Sequence, residues 1–136
     1  MNEEQNYPGQ KSEEDWKSQL SKEEYRVLRK GGTEFPHTGK YNLHFEEGKY
    51  RCKACNAPLF ESEHKFASRC GWPSFDQAIE GAIEYLRDTT HGMIRTETRC
   101  ANCGSHLGHV FDDGPRETTG QRYCINSVCL DFDAPE

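Results

Sequence analysis

A chain of 136 residues has room for one compact domain, and with apolar residues at 33% its core must be small. A formal charge of −6 leaves no basic footprint for nucleic acid and disfavours an anionic membrane surface. No apolar run approaches the ~20 residues that span a bilayer, and the start, MNEEQNYPGQKSEEDW, has neither part of a signal peptide, so the cytoplasm is the expected compartment.

Residues 1–11 are polar, charged and aperiodic and read as a disordered tail; residues 12–136 read as a single domain. Ser12 is placed to cap a first helix with Trp16 and Leu20 on its apolar face. Ser21 and Glu24 have the spacing of a capping box, opening a second helix that carries Tyr25, Val27 and Leu28 inward and stops at Gly31-Gly32. From Thr33 the pattern becomes alternating: Tyr41, Leu43 and Phe45 in KYNLHF, then the turn EEGK and Tyr50-Arg51-Cys52, predict a hairpin. Strands are predicted over 82–87, 93–99, 106–111, 122–125 and 128–132, parted by turn-like DTTHG, DDGP and TTG. The sum is a mainly β domain of antiparallel sheets, packed as a sandwich or open barrel, with short N-terminal helices.

Seven cysteines in a reducing compartment point to metal or redox chemistry before structural disulfides. Cys52-Lys-Ala-Cys55 and Cys100-Ala-Asn-Cys103 are two CxxC knuckles parted by 44 residues, on separate hairpins that a shared ion would clip together. Four thiolates suit a closed, structural zinc site, which would offset the small core. The alternative is that one knuckle is a thioredoxin-like redox pair.

Cys70 lies in RCGWPSF, a stretch whose Gly, Pro and aromatics predict a rigid loop that also carries Trp72. Cys124 lies in RYC, where Arg122 shares its strand face and brings a permanent cation near the sulfur, favouring a thiolate. SHLGHVFDDGP adds His106, His109 and Asp113. Histidines three apart on a strand face one site only if a bulge or a turn at Gly108 intervenes; otherwise they are ordinary polar residues of a sheet face, or metal ligands.

GTEFPHTGKY, the paired knuckles, KFASRCGWPSF, HGMIRTETRC, SHLGHVFDDGP and RYCINS, taken together and in this order, resemble the type B methionine sulfoxide reductases from about Leu20 to Phe132. The resemblance implies a zinc-stapled fold of two antiparallel β-sheets with helices only near the N-terminus. It implies thiol-dependent reduction of methionine-R-sulfoxide, chiefly in oxidised proteins, by a monomer that thioredoxin recycles. By matching position, Cys124 would be the nucleophile, Cys70 the resolving thiol, and Trp72 the wall against the substrate's methyl group. His106, His109, Asp113 and Arg122 would form the polar side, and Asn126 would lie close to the nucleophile. The zinc ligands would be Cys52, Cys55, Cys100 and Cys103.

Three positions depart from the family pattern: His37 where Phe is frequent, a loop of one extra residue in DGPRETTGQR, and Cys129 where a small residue is common. On an unbroken strand Cys129 falls on the face opposite Cys124, a bystander; a bulge at Asn126-Ser127 would reverse that parity. Two other function classes fit parts of the pattern: a zinc-stapled β binding module without catalysis, and a general thiol–disulfide oxidoreductase. The grouping of Cys70, Trp72, His109, Arg122 and Cys124 separates an enzyme from the first, and preference for one sulfoxide epimer separates it from the second.

Overall fold

The computed structural model describes residues 7–9, 11–42, 44–68 and 70–134. Two short helices open the domain. In α1 (Glu13–Gln19) the Ser12 hydroxyl accepts the Asp15 amide at 3.2 Å, and Glu13, Glu14 and Asp15 place negative charge at the helix's positive end. In α2 (Lys22–Leu28) the capping box closes both ways: the Ser21 hydroxyl accepts from the Glu24 amide and the Glu24 carboxylate from the Ser21 amide. Such a cap is worth ~1 kcal/mol, but the larger contribution comes from burying Trp16, Leu20, Val27 and Leu28.

Among the described residues, nine strands form two antiparallel sheets. The smaller runs β2 (Pro58–Glu61), β1 (Lys49–Cys52), β9 (Leu130–Asp133). The larger runs β3 (Lys65–Phe66), β4 (Ser74–Phe75), β8 (Arg122–Ile125), β7 (His106–Phe111), β6 (Arg95–Cys100), β5 (Ile83–Asp88). Aromatic side chains join the two: Phe60 of β2 stacks on Phe75 of β4 at 4.2 Å, and Tyr50 of β1 meets the same ring edge-on at 5.2 Å.

The predicted hairpin between 41–45 and 50–52 does not form. Both edges of β1 are taken, by β2 and by β9, so the preceding segment has no partner for a ladder. The segment packs on β1 through other positions instead: the buried Tyr41 meets Tyr50 edge-on at 5.5 Å, His44 Nδ1 pairs with the Tyr50 hydroxyl at 2.8 Å, and Phe45 is exposed. Leu43 lies outside the described residues. The strands over 82–87 and 93–99 occur one or two residues later, those over 106–111 and 122–125 as predicted, while β2, β3 and β4 were not predicted. The strand expected from 128 begins at Leu130, because Ser127–Cys129 forms a 3-10 turn that carries the chain from the larger sheet into the smaller.

Within the segment read as a tail, the Tyr7 hydroxyl bonds Glu84, its ring lies over Gly104, and the Gly9 amide donates to the Asn102 carbonyl at 2.6 Å.

Candidate metal centre and thiol cleft

The two knuckles are near-copies of each other. Each begins at a strand end, Cys52 of β1 or Cys100 of β6, and closes with an amide donated back to that first cysteine's carbonyl, from Asn56 at 2.7 Å and from Gly104 at 2.8 Å. The closing residue is left-handed in both, φ 70° at Asn56 and 78° at Gly104, a conformation Gly and Asn adopt at least cost. All four Sγ atoms lie within 4.8 Å of one another, with 3.7 Å from Cys52 to Cys103 and 3.6 Å from Cys55 to Cys100. A tetrahedron with metal–sulfur bonds of ~2.3 Å has edges of ~3.8 Å, so the four residues fit a tetrahedral metal ion.

Both helices hold this cluster from outside. Gln19 of α1 donates to the Ala54 carbonyl at 2.6 Å. Arg29, stacked on Trp16 at 4.6 Å, donates to the Cys103 carbonyl at 3.0 Å and to the Ser105 hydroxyl at 2.9 Å.

The second thiol group occupies a cleft of about 240 Å³ on the larger sheet, lined by Cys70, Cys124, Trp72, His109, Arg122 and Asn126. Thr33, Arg95, Gly108 and Phe111 complete the lining; alternation along β7 and β8 could have pointed to Phe111, which pairs with Arg122 across the ladder. The Sγ atoms of Cys70 and Cys124 are 3.4 Å apart, although 54 positions separate them in sequence. Pairing of β4 with β8 brings them together, since Ser74 stands opposite Cys124 and its hydroxyl lies 3.4 Å from the Cys70 sulfur.

Hydrogen bonding between the sulfurs sets their acidity. It draws the Cys70 thiol down to about 4, with Ser68 and Ser74 helping and burial opposing. The same bond, then burial, pushes the Cys124 thiol up, against the charge and hydrogen bond of Arg122. Sharing of that bond favours the thiolate on Cys70 and the thiol on Cys124.

Arg122 lies over the Phe111 ring at 4.6 Å and is held by a two-bond ion pair to Asp113, at 2.8 and 3.2 Å. Asp113 acts on the cleft through that pair and does not line it. His109 pairs through Nε2 with Asp88 at 2.7 Å, and Asp88 is also held by Arg95 at 3.3 Å. Burial holds His109 below the usual histidine value, while its bond to Asp88 opposes that shift. Asp88, Arg95 and Glu97 have no signature in the sequence, because a carboxylate that orients another strand's histidine, and the cation that holds it, leave no spacing pattern.

His106 is buried and bonds Glu97 through Nδ1 at 2.7 Å; it stands behind the cleft lining, its ring 5.7 Å from that of His109. A bulge makes this approach. The β6–β7 register pairs Thr98 with Gly108 but Arg99 with His106, so Leu107 is the extra residue. At Gly108 a Cβ would stand 2.1 Å from the Cys124 carbonyl oxygen, so only glycine permits the approach of β7 to β8.

Asn126 is buried, its side chain accepting the Glu34 amide at 3.0 Å and donating to the Leu107 carbonyl at 2.9 Å. Trp72 is half-buried, its indole N–H donating to the Glu34 carbonyl at 3.1 Å. His37, left-handed at φ 69°, donates its amide to the Gly71 carbonyl at 2.7 Å, beside Cys70 and Trp72. Cys129 is fully buried, its sulfur donating to the His106 carbonyl at 3.2 Å, and does not line the cleft. The 3-10 turn breaks the strand on which its parity with Cys124 was counted.

An antiparallel two-sheet fold, clipped by four cysteines and holding a separate cysteine pair in a cleft, defines a β-sheet protein of cysteine chemistry. The family model of the SelR domain matches residues 20–134. A peptide methionine sulfoxide reductase MsrB of Chromohalobacter salexigens is 60% identical over 124 residues, covering 90% of this chain and 93% of the relative. An MsrB of Thioalkalivibrio sulfidiphilus is 56% identical over 135 residues, 98% of each chain. A probable methionine-R-sulfoxide reductase B of Caenorhabditis elegans is 55% identical over 121 residues, 88% of this chain and 80% of the relative. The chain belongs to the MsrB family of methionine sulfoxide reductases.

Proposed function

We propose that the cleft reduces methionine-R-sulfoxide in oxidised proteins to methionine, with Cys124 as nucleophile and Cys70 as resolving thiol. The observation that carries this reading is the 3.4 Å approach of the two sulfurs inside a cleft with an indole on one side and Arg122 and His109 on the other. The sulfoxide sulfur is electrophilic, but its oxygen leaves only when protonated. Trp72 offers a flat apolar surface to the substrate's methyl group. His109, directly opposite Cys124 across the strand pair, takes the Cys124 proton and delivers it to the sulfoxide oxygen. Asp88 stabilises the imidazolium formed between those two transfers, and Arg122 stabilises the Cys124 thiolate.

Attack forms a bond between the Cys124 and sulfoxide sulfurs. The oxygen and the thiol proton end on Cys124 as a sulfenic acid, and methionine, reduced by two electrons, leaves. The Cys70 thiolate then attacks that sulfenic sulfur, a disulfide forms, and hydroxide departs as water after protonation. Thioredoxin, or another dithiol, returns the disulfide to two thiols by exchange. Cys52, Cys55, Cys100 and Cys103 would hold zinc in a closed four-thiolate shell, whose part is to tie the sheets together. The proposed form is a cytoplasmic monomer, with 12–136 as one catalytic domain; among the described residues no helix is long and apolar enough to cross a membrane.

The deciding experiment is an epimer-resolved assay with thioredoxin as reductant. Cys124→Ser should lose all turnover of the R epimer. Cys70→Ser should release one methionine per enzyme and then stop. Turnover by Cys124→Ser, or equal rates on both epimers, would overturn the reading.

A further inference from the structure

We propose that Glu34 is a positioning residue that fixes the Trp72 wall relative to the Cys124 strand and to the bulge that gathers the histidines. The inference rests on the reading of Trp72 as the surface against the substrate's methyl group. Glu34 is 3% exposed and uses its backbone and side chain in three directions. Its carbonyl accepts the Trp72 indole N–H at 3.1 Å. Its amide donates to Asn126 Oδ1 at 3.0 Å, two residues after Cys124, and Asn126 Nδ2 donates in turn to the carbonyl of Leu107, the bulged residue, at 2.9 Å. Its carboxylate accepts the Val128 amide at 3.0 Å, in the 3-10 turn that ends the Cys124 segment.

Three hydrogen bonds thus run in series from the indole to the bulge through Glu34 and Asn126. Enclosure keeps Glu34 in place. A Cβ at Gly39 would stand 2.5 Å from Glu34 Oε2 and 2.2 Å from Ser127 Oγ, so position 39 must stay bare for the carboxylate to lie against the turn. Burying a carboxylate is costly unless donors surround it. Here burial pushes its acidity constant up and hydrogen bonding from Ser127 and Val128 opposes that shift, with the Val128 amide on Oε1 and Oε2 buried without a partner among the described residues. An alanine would free the turn and the 33–39 segment together, and a small displacement of a substrate-positioning group has large kinetic effects.

The test uses the full chain labelled with 5-fluorotryptophan, which gives one fluorine resonance for Trp72 in the cleft and one for Trp16 in the helical core. Glu34→Ala should displace or broaden the Trp72 resonance and leave that of Trp16 in place. It should raise KM for a methionine-R-sulfoxide peptide by about tenfold with a smaller change in kcat, the pattern of lost ground-state binding. Glu34→Gln keeps the shape and one acceptor, and should give the same signature at about threefold in KM. A wild-type KM and an unmoved Trp72 resonance in both variants would overturn the proposal. So would displacement of both resonances together, which marks general loosening. Should the alanine variant not fold, wild-type behaviour of Glu34→Gln is sufficient to overturn it. If Trp72→Ala leaves KM unchanged, the reading of the cleft fails; an unmoved Trp72 resonance in the Glu34 variants sinks this inference alone.

Discussion

His109 on β7 stands directly opposite Cys124 on β8, with its Nε2 bonded to Asp88 of β5 two strands away. That leaves Nδ1 as the nitrogen free to exchange a proton with the Cys124 thiol and the substrate. In this role His109 must be neutral at the start, so its acidity constant sets the acid limb of kcat/KM. Burial lowers that constant, and Asp88 raises it. Asp88→Asn removes the raising influence, so the acid limb should move to lower pH. The rate should fall about tenfold to a hundredfold, because the imidazolium has lost its counter-charge. A pH–rate profile of the variant checks both; a limb that stays in place would separate Asp88 from proton transfer.

The acidity of Cys70 depends first on its hydrogen bond with Cys124. In the wild type, carbamidomethylation of Cys70 should therefore persist well below neutral pH and fall only near pH 4, the value to which its thiol is drawn down. Cys124→Ala removes the donor, and the midpoint should climb toward the ordinary thiol value of ~8.5. Mass-spectrometric mapping of iodoacetamide labelling against pH reads the two curves. An unchanged midpoint would mean that Ser68 and Ser74 alone hold the thiolate.

Removing one sulfur from the knuckles should affect folding before catalysis. Structural zinc contributes ~10–16 kcal/mol of apparent binding energy in small peptides, against ~5–15 kcal/mol for the whole stability of an ordinary domain. Cys103→Ser is expected to lose stoichiometric zinc and its cooperative thermal transition. Metal analysis and melting curves, with and without added zinc, test this; a wild-type melt without bound metal would refute the structural role.

Phe35 and Ile94 are 81% and 73% exposed, and each lies near a residue of the cleft lining in sequence, two positions from Thr33 and one from Arg95. An apolar side chain buried on contact is worth ~1.5–3 kcal/mol. Phe35→Ser with Ile94→Ser should therefore raise KM for an oxidised peptide with apolar flanks about tenfold or more, and leave KM for free N-acetylmethionine sulfoxide within twofold. Equal effects on both substrates would place these residues in the cleft's folding and not in its contact with polypeptide.

What the sequence made legible was whatever has a local cause. Ser12 and Ser21 cap their helices through residues three positions on. The CxxC spacing brings thiols together whatever the surrounding fold, and the strands carrying His109 and Cys124 show their own alternation. What stayed hidden depends on partners distant in sequence. Residues 41–45 alternate as a strand does, yet β9 had already taken the edge of β1 they would have used, a competition visible only in the sheet. Strands β3 and β4, two residues each, are too short to produce a period. Asp88 and Glu34 look like any surface acid in a chain with 23 of them, until folding sets one against His109 and buries the other beneath Ser127 and Val128.

The extra residue at Leu107 carries a practical lesson for anyone who would transplant this cleft. Copying the side chains onto a regular antiparallel ladder would send the two histidines to opposite faces, and a graft of correct composition would be inert. The irregularity must travel with its supports: the bare position at Gly108, which admits the Cys124 carbonyl, and Asn126, which grips the Leu107 carbonyl. Deleting Leu107 from the natural chain would leave the histidines two positions apart on one face of a more regular sheet, but without the carbonyl that Asn126 grips. In this domain the meeting of the two histidines depends on one flaw in a ladder, and a graft that keeps their three-residue spacing must carry the flaw with it.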